Sequence, residues 1–125
     1  MTRTKKLRVL RDVYAVIPNA NCKGLCTDAC STVPVFDIEL RQLEEVAGRS
    51  LPTMTLPGDA VALGTDVGAT CPLLVMNRCS VYEHRPLICR AFGAVVGMKC
   101  PFGCEPDRVM STDEMQRHVT TVGAL

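Results

Sequence analysis

The chain has 125 residues, a formal net charge of +1 and 47% hydrophobic residues. That length suits one domain and leaves no room for a second core of independent stability. So small a net charge excludes a field strong enough to draw in nucleic acid, an acidic substrate or a membrane surface by charge alone.

With three Phe, two Tyr and no Trp, the apolar side chains are mostly small and medium aliphatics, and so thin a core gains from cross-links. Eight cysteines are available for that purpose. The start of the chain is basic, as in a signal peptide, but Arg8, Arg11 and Asp12 interrupt the apolar run that export requires. No stretch reaches the roughly 18 consecutive apolar residues of a membrane-spanning helix, so no membrane is expected. The expected compartment is the reducing cytoplasm, where dense cysteines bind metal more often than they form disulfides.

Along the chain, Leu7, Leu10, Tyr14 and Ile17 recur at helical spacing, with Lys5, Arg8 and Arg11 on other faces. This predicts an amphipathic helix within residues 1–20, ended by Pro18 and Asn19. The basic cluster Arg3, Lys5, Lys6, Arg8 and Arg11 reads as a solvated face; nucleic acid is the weaker partner for it, because few aromatics are available to stack on bases. An unspecified protein partner is the stronger expectation.

The first cysteine group, Cys22, Cys26 and Cys30, lies in a loop that Gly24 allows to turn. Residues 31–35 read as extended. Asp37 is expected to cap a helix to about Ala47, with Phe36, Leu40, Leu43 and Ala47 inward and Gly48 as the stop. Glu39, Arg41, Gln42, Glu44 and Glu45 are then expected on its solvated side. Residues 49–70, punctuated by Pro52, Pro57, Gly58, Gly64 and Gly68, read as a loop with short extended pieces around Thr53–Leu56 and Ala60–Leu63.

Two apolar runs around Met76-Asn77-Arg78 predict a hairpin that brings Cys71 near Cys79. Pro86 is placed to open a helix over Leu87–Phe92 carrying Cys89, with Gly93 closing it. Arg85 and Arg90 flank Cys89, where positive charge favours a thiolate or an anionic cluster. Cys100 and Cys104 bracket a tight turn, and Ser111-Thr-Asp-Glu114 is a capping box, so a helix over 111–123 should bury Met115, Val119 and Val122.

Successive cysteines are separated by three, three, forty, seven, nine, ten and three residues. Zinc takes four such ligands, often in pairs two to four residues apart, and Cys22/Cys26 and Cys100/Cys104 suit that. An iron-sulfur cluster also takes four thiolates, frequently with proline after one, as at Cys71-Pro72 and Cys100-Pro101. All eight cysteines are therefore candidate ligands, for one site or two. His84 and His118 are read as exposed imidazoles, since eight thiolates suffice. The chain is too short for the barrel of enzymes that place three clustered cysteines around a radical-generating cluster, which needs roughly 200 residues or more. No residue set reads as a catalytic centre.

The run Cys71-Pro72-Leu73-Leu74, then Cys79-Ser-Val-Tyr82-Glu-His-Arg85-Pro86-Leu-Ile-Cys89-Arg90-Ala-Phe92, resembles the YkgJ-type cysteine-cluster family, described as zinc- or iron-chelating. The resemblance extends in outline over residues 22–104 and implies a metal-binding core there, with Cys71, Cys79 and Cys89 as its surest ligands. Where the family has adjacent cysteines upstream, this chain has Ala29-Cys30, which leaves open which of Cys22, Cys26 and Cys30 ligate and whether Cys100 or Cys104 supplies the missing thiol. The expected protein is a small metal-stapled α+β domain spanning 1–125, mostly short helices with one β-hairpin. Its cofactor is an iron-sulfur cluster, 4Fe-4S ahead of other types, or zinc; its role is binding, regulation or electron transfer, or else a zinc-stapled interaction module.

Overall fold

The computed structural model describes residues 1–20, 32–66, 68, 70–76, 78–101 and 103–125. Helices α1 (Arg3–Val16), α2 (Asp37–Ala47), α3 (Leu87–Ala91) and α4 (Thr112–Gly123) alternate with strands β1 (Val33–Val35), β2 (Thr53–Thr55), β3 (Val61–Leu63), β4 (Leu74–Val75) and β5 (Arg78–Cys79). The class is α+β, as expected. The chain divides into two compact units, one of residues 26–88 and the other of residues 1–25 with 89–125.

In the unit of residues 26–88, β3 is the centre of an antiparallel sheet of order β1-β3-β2. Val33, Pro34 and Val35 lie opposite Leu63, Ala62 and Val61, and β2 pairs with the same residues from the other side. Val33 and Val35 are buried while Pro34 between them is exposed, the period of a one-faced strand. Pro34 has no amide to donate, and an edge position tolerates that. A loop closed by the Leu56 amide donating to the Ala60 carbonyl joins β2 to β3, through Gly58 and Asp59 at positive φ. The two extended pieces expected in a loop are thus a hairpin with a third strand added, which three-residue strands have too few positions to announce by alternation.

Helix α2 corrects two expectations. Its N-cap is Phe36, not Asp37. Phenylalanine has no acceptor to cap with, so Glu39 reaches back and its Oε1 accepts from the Phe36 amide at 3.1 Å. Glu39, expected in solvent, is only 1% exposed beside buried Ile38 and Leu43. Its neighbour Glu44 also has a structural task, since Oε2 accepts from the Leu51 amide at 2.8 Å and fixes the chain after the helix. Gly48 ends α2 at φ 72°, as its position predicts. β4 and β5 form the second sheet, with Leu74 opposite Cys79 and Val75 opposite Arg78. Arg78 is therefore in a strand, not in the turn.

In the other unit, Thr2 caps α1 by accepting from the Lys5 amide, and Leu10, Val13, Tyr14 and Ile17 are buried along one face. α1 packs against α4. Ser111 caps α4 by accepting from the Glu114 amide at 3.1 Å, but the Glu114 carboxylate turns to Arg108, at 3.2 and 3.1 Å, instead of closing the box. Arg108 also donates to the Val16 carbonyl at 3.2 Å, tying the end of α1 to the approach to α4. Of the residues expected inside α4, Val122 is buried and Met115 and Val119 are half-buried. His118, expected exposed, is mostly buried, with Nε2 3.9 Å from Glu114 Oε2.

Gly93 follows α3 at φ 82°, and a Cβ there would lie 3.1 Å from the Ala20 Cβ and 3.5 Å from the Cys100 Cβ. Glycine is needed for both backbone and space. Gly93→Ala should cost about 1–2 kcal/mol or more from the backbone alone, measured as a lowered urea midpoint. The hydrogen bonds from Arg108 hold the Glu114 carboxyl below the usual carboxylate range. Its contribution to stability is therefore present above the unfolded carboxylate's pKa and is lost as pH falls through the lower folded value. In Arg108→Ala, Glu114 should titrate closer to the ordinary range when followed by NMR.

Candidate metal centre

The hairpin region supplies the most defined thiol site. Cys71 opens a tight turn in which its carbonyl accepts from the Leu74 amide at 3.1 Å. The Leu73 amide, inside that turn, donates to the Cys71 sulfur. The turn is held from two further directions: Arg49 Nη2 donates to the Pro72 carbonyl at 3.1 Å, and Ser80 donates its amide to the Leu73 carbonyl at 3.0 Å. Leu73 anchors it by burial.

Cys79 enters by register. As the partner of Leu74 in the β4–β5 ladder it is brought close enough to Cys71 for the two to repel when ionised. Burial pushes the Cys71 thiol up, the Leu73 amide draws it down, and the neighbouring Cys79 pushes it up again. Two half-buried thiols that repel as anions, one with an amide already aimed at its sulfur, are the donor set a soft cation satisfies, because the cation removes the repulsion and the amide remains to support a bound thiolate. The chemistry of these residues fits a thiolate-bound metal.

In the other unit, Cys89 is the third residue of α3 and half-buried, Cys100 is half-buried, and Cys104 is buried. Cys100 begins a turn closed by the Gly103 amide donating to its carbonyl at 3.2 Å. Cys100 and Ala20 both lie close against the backbone of Gly93. Cys22, Cys26 and Cys30 themselves lie outside the described residues. Among the described residues, no three His, Cys, Asp or Glu side chains gather as a metal site.

The two arginines expected near the thiolates are both engaged on rings. Arg85 lies 3.9 Å over the Tyr82 ring, with Nε donating to the Tyr82 carbonyl at 3.0 Å, and Arg90 lies 4.0 Å over the Tyr14 ring. Each contact fixes a cation beside a chain segment that carries a cysteine. Sequence reasoning missed Glu39, Arg49 and Gly93 as supports. Gly93 was legible as a turn, but its approach to Cys100 was not. Glu39 stands at the third position of a helix, where a capping box puts Glu, yet Phe36 at the cap hides that pattern.

No helix among the described residues is long and apolar enough to cross a membrane. No curated protein and no solved structure matches the chain significantly. The family model CxxCxxCC, described as "Putative zinc- or iron-chelating domain", matches residues 21–120. Its name spells cysteines two residues apart ending in an adjacent pair, whereas this chain spaces Cys22, Cys26 and Cys30 by three residues. The match nonetheless takes in all eight cysteines, the Cys71 turn and α3, and the chain belongs to this family of zinc- or iron-chelating domains.

Proposed function

We propose that the chain is a small cytoplasmic iron-sulfur protein whose cysteine thiolates hold a 4Fe-4S cluster and whose role is electron transfer or cluster-dependent binding. The observation that carries this reading is the Cys71 turn, in which a backbone amide points at the sulfur while the hairpin supplies Cys79 beside it. Amide hydrogen bonds to cluster-bound sulfur are among the interactions that set a cluster's potential. Proline after Cys71 and after Cys100 is in keeping with a cluster, as is the availability of thiols without recourse to histidine. Cys71, Cys79 and Cys89 are the primary ligands in this reading, with the remaining thiolate or thiolates from Cys22, Cys26, Cys30, Cys100 and Cys104. When bound, the cluster would supply one-electron redox chemistry, and the chain's own part is to hold it and to fix cations nearby through Arg85 and Arg90.

A second reading, a zinc-stapled interaction module without redox chemistry, rests on the same thiols, since eight of them fill two tetrahedral sites. The two separate on protein purified without oxygen. Iron with acid-labile sulfide and a broad absorption band near ~400 nm that bleaches with dithionite is the expected result. Colourless protein with stoichiometric zinc would overturn the cluster and leave the interaction module.

Because metal binding in such small domains is itself folding free energy, on the order of 10 kcal/mol for a structural zinc site, Cys79→Ser and Cys89→Ser should each give protein that is poorly metallated and unfolds at lower denaturant. Stable, normally metallated protein from both variants would refute their assignment as ligands.

A further inference from the structure

The structure assigns Glu39 as a positioning residue for Cys89, a role that rests on reading Cys89 as a metal ligand. Helix α2 carries no cysteine, yet residues on and just after it grip the Cys71–Cys89 segment near both ends. Beyond its C-terminus, Arg49 donates to the carbonyl of Pro72, the residue after Cys71, at 3.1 Å. From its first turn, Glu39 Oε2 accepts from the Leu87 amide at 2.6 Å, while Oε1 accepts from the Phe36 amide at 3.1 Å. Leu87 is the first residue of α3 and Cys89 the third. Fixing the Leu87 amide therefore sets where α3 begins and how it is rotated, and with that the direction in which the Cys89 sulfur leaves the helix.

A residue needed only to fill this space would be apolar, as Leu43 is on the same helix, also 1% exposed. Burying a carboxylate is costly unless donors compensate it, and a charged acceptor makes a shorter and stronger bond to an amide than a neutral one. The Leu87 amide is one of the first-turn groups that a helix leaves without an intrahelical acceptor, so Glu39 meets a need that α3 has while orienting it. Groups that hydrogen-bond a metal ligand directly typically change affinity about 10–100-fold when altered; Glu39 acts through the backbone two residues from Cys89, so the lower end of that range, about tenfold, is the expectation.

The test compares Glu39→Gln with Leu43→Ala in the full chain. Gln keeps the shape and one oxygen but presents an NH2 group to one of the two amides. Leu43→Ala weakens the same helix without touching either hydrogen bond. Three quantities are read: Zn2+ affinity by competition with a chromophoric chelator, the urea midpoint, and the alkylation rate of Cys89 relative to Cys79 in metal-free protein by mass spectrometry. Glu39→Gln should weaken Zn2+ binding by about tenfold and change the Cys89 rate ratio; Leu43→Ala should lower the midpoint and leave the ratio near the wild-type value. A Glu39→Gln protein with a lowered midpoint but unchanged affinity and ratio would overturn the proposal, as would a Leu43→Ala protein that matches it in both. If wild-type protein takes up no Zn2+ and carries no other metal, the ligand reading fails, and an unchanged alkylation ratio in Glu39→Gln would then overturn the positioning role separately. Should Glu39→Gln not fold, amide exchange on the wild type decides, because a Leu87 amide exchanging at the rate of an unprotected one removes the bond on which the proposal stands.

Discussion

A carboxyl group placed in a small apolar interior has to find donors, and in this protein Glu39 finds two of them at the ends of two helices. Glu39 takes the amide at the cap of its own helix and the amide that opens α3, forty-eight residues later in sequence. One side chain thus closes a long loop of chain and settles two helix ends together. The entropy cost of such a closure grows only slowly with loop length, so a single well-made buried bond can hold together two segments distant in sequence. The sheet of the same unit is built as sparingly, with strands of three residues and a central β3 whose Ala62 and Leu63 are almost fully buried.

Much of this was legible from the residues, and what was not has identifiable causes. α1 follows from apolar periodicity and α4 from periodicity with Ser111 as cap, because long helices repeat their signal several times, while Thr2 as the cap of α1 emerged from the structure. Gly48 and Gly93 mark helix ends because positive φ leaves few alternatives to glycine. The β1-β3-β2 sheet was hidden, since its order depends on pairing distant segments and each strand offers only three residues. The buried state of Glu39 was hidden for a different reason. A carboxylate on a helix among other charges reads as surface, and only the tertiary position of Leu87 shows otherwise.

At the metal centre the sequence names the atoms and the fold supplies their constraints. That Cys71 and Cys79 should meet follows from a hairpin around Met76; that the Leu73 amide should face the Cys71 sulfur depends on the turn geometry and is not spelled by any residue type. Side chains of Arg85 and Arg90 were legible as cations near cysteines, while their seating on Tyr82 and Tyr14 required the fold. The family match and the hairpin therefore carry complementary information, the first on zinc or iron chelation as the class of chemistry and the second on how two of the thiols are placed.

Pro34 has a consequence for the open edge of the sheet. β1 is an edge of its sheet, and an edge normally offers a row of amides and carbonyls on which a second molecule can extend the sheet. In a three-residue edge, one proline removes the middle amide, and so a third of the strand's donors. A sheet of three-residue strands is weakly held by its own pairing, and an exposed edge is most open to a second molecule whenever the packing around it loosens. The blunted edge then limits templated growth from one molecule to the next.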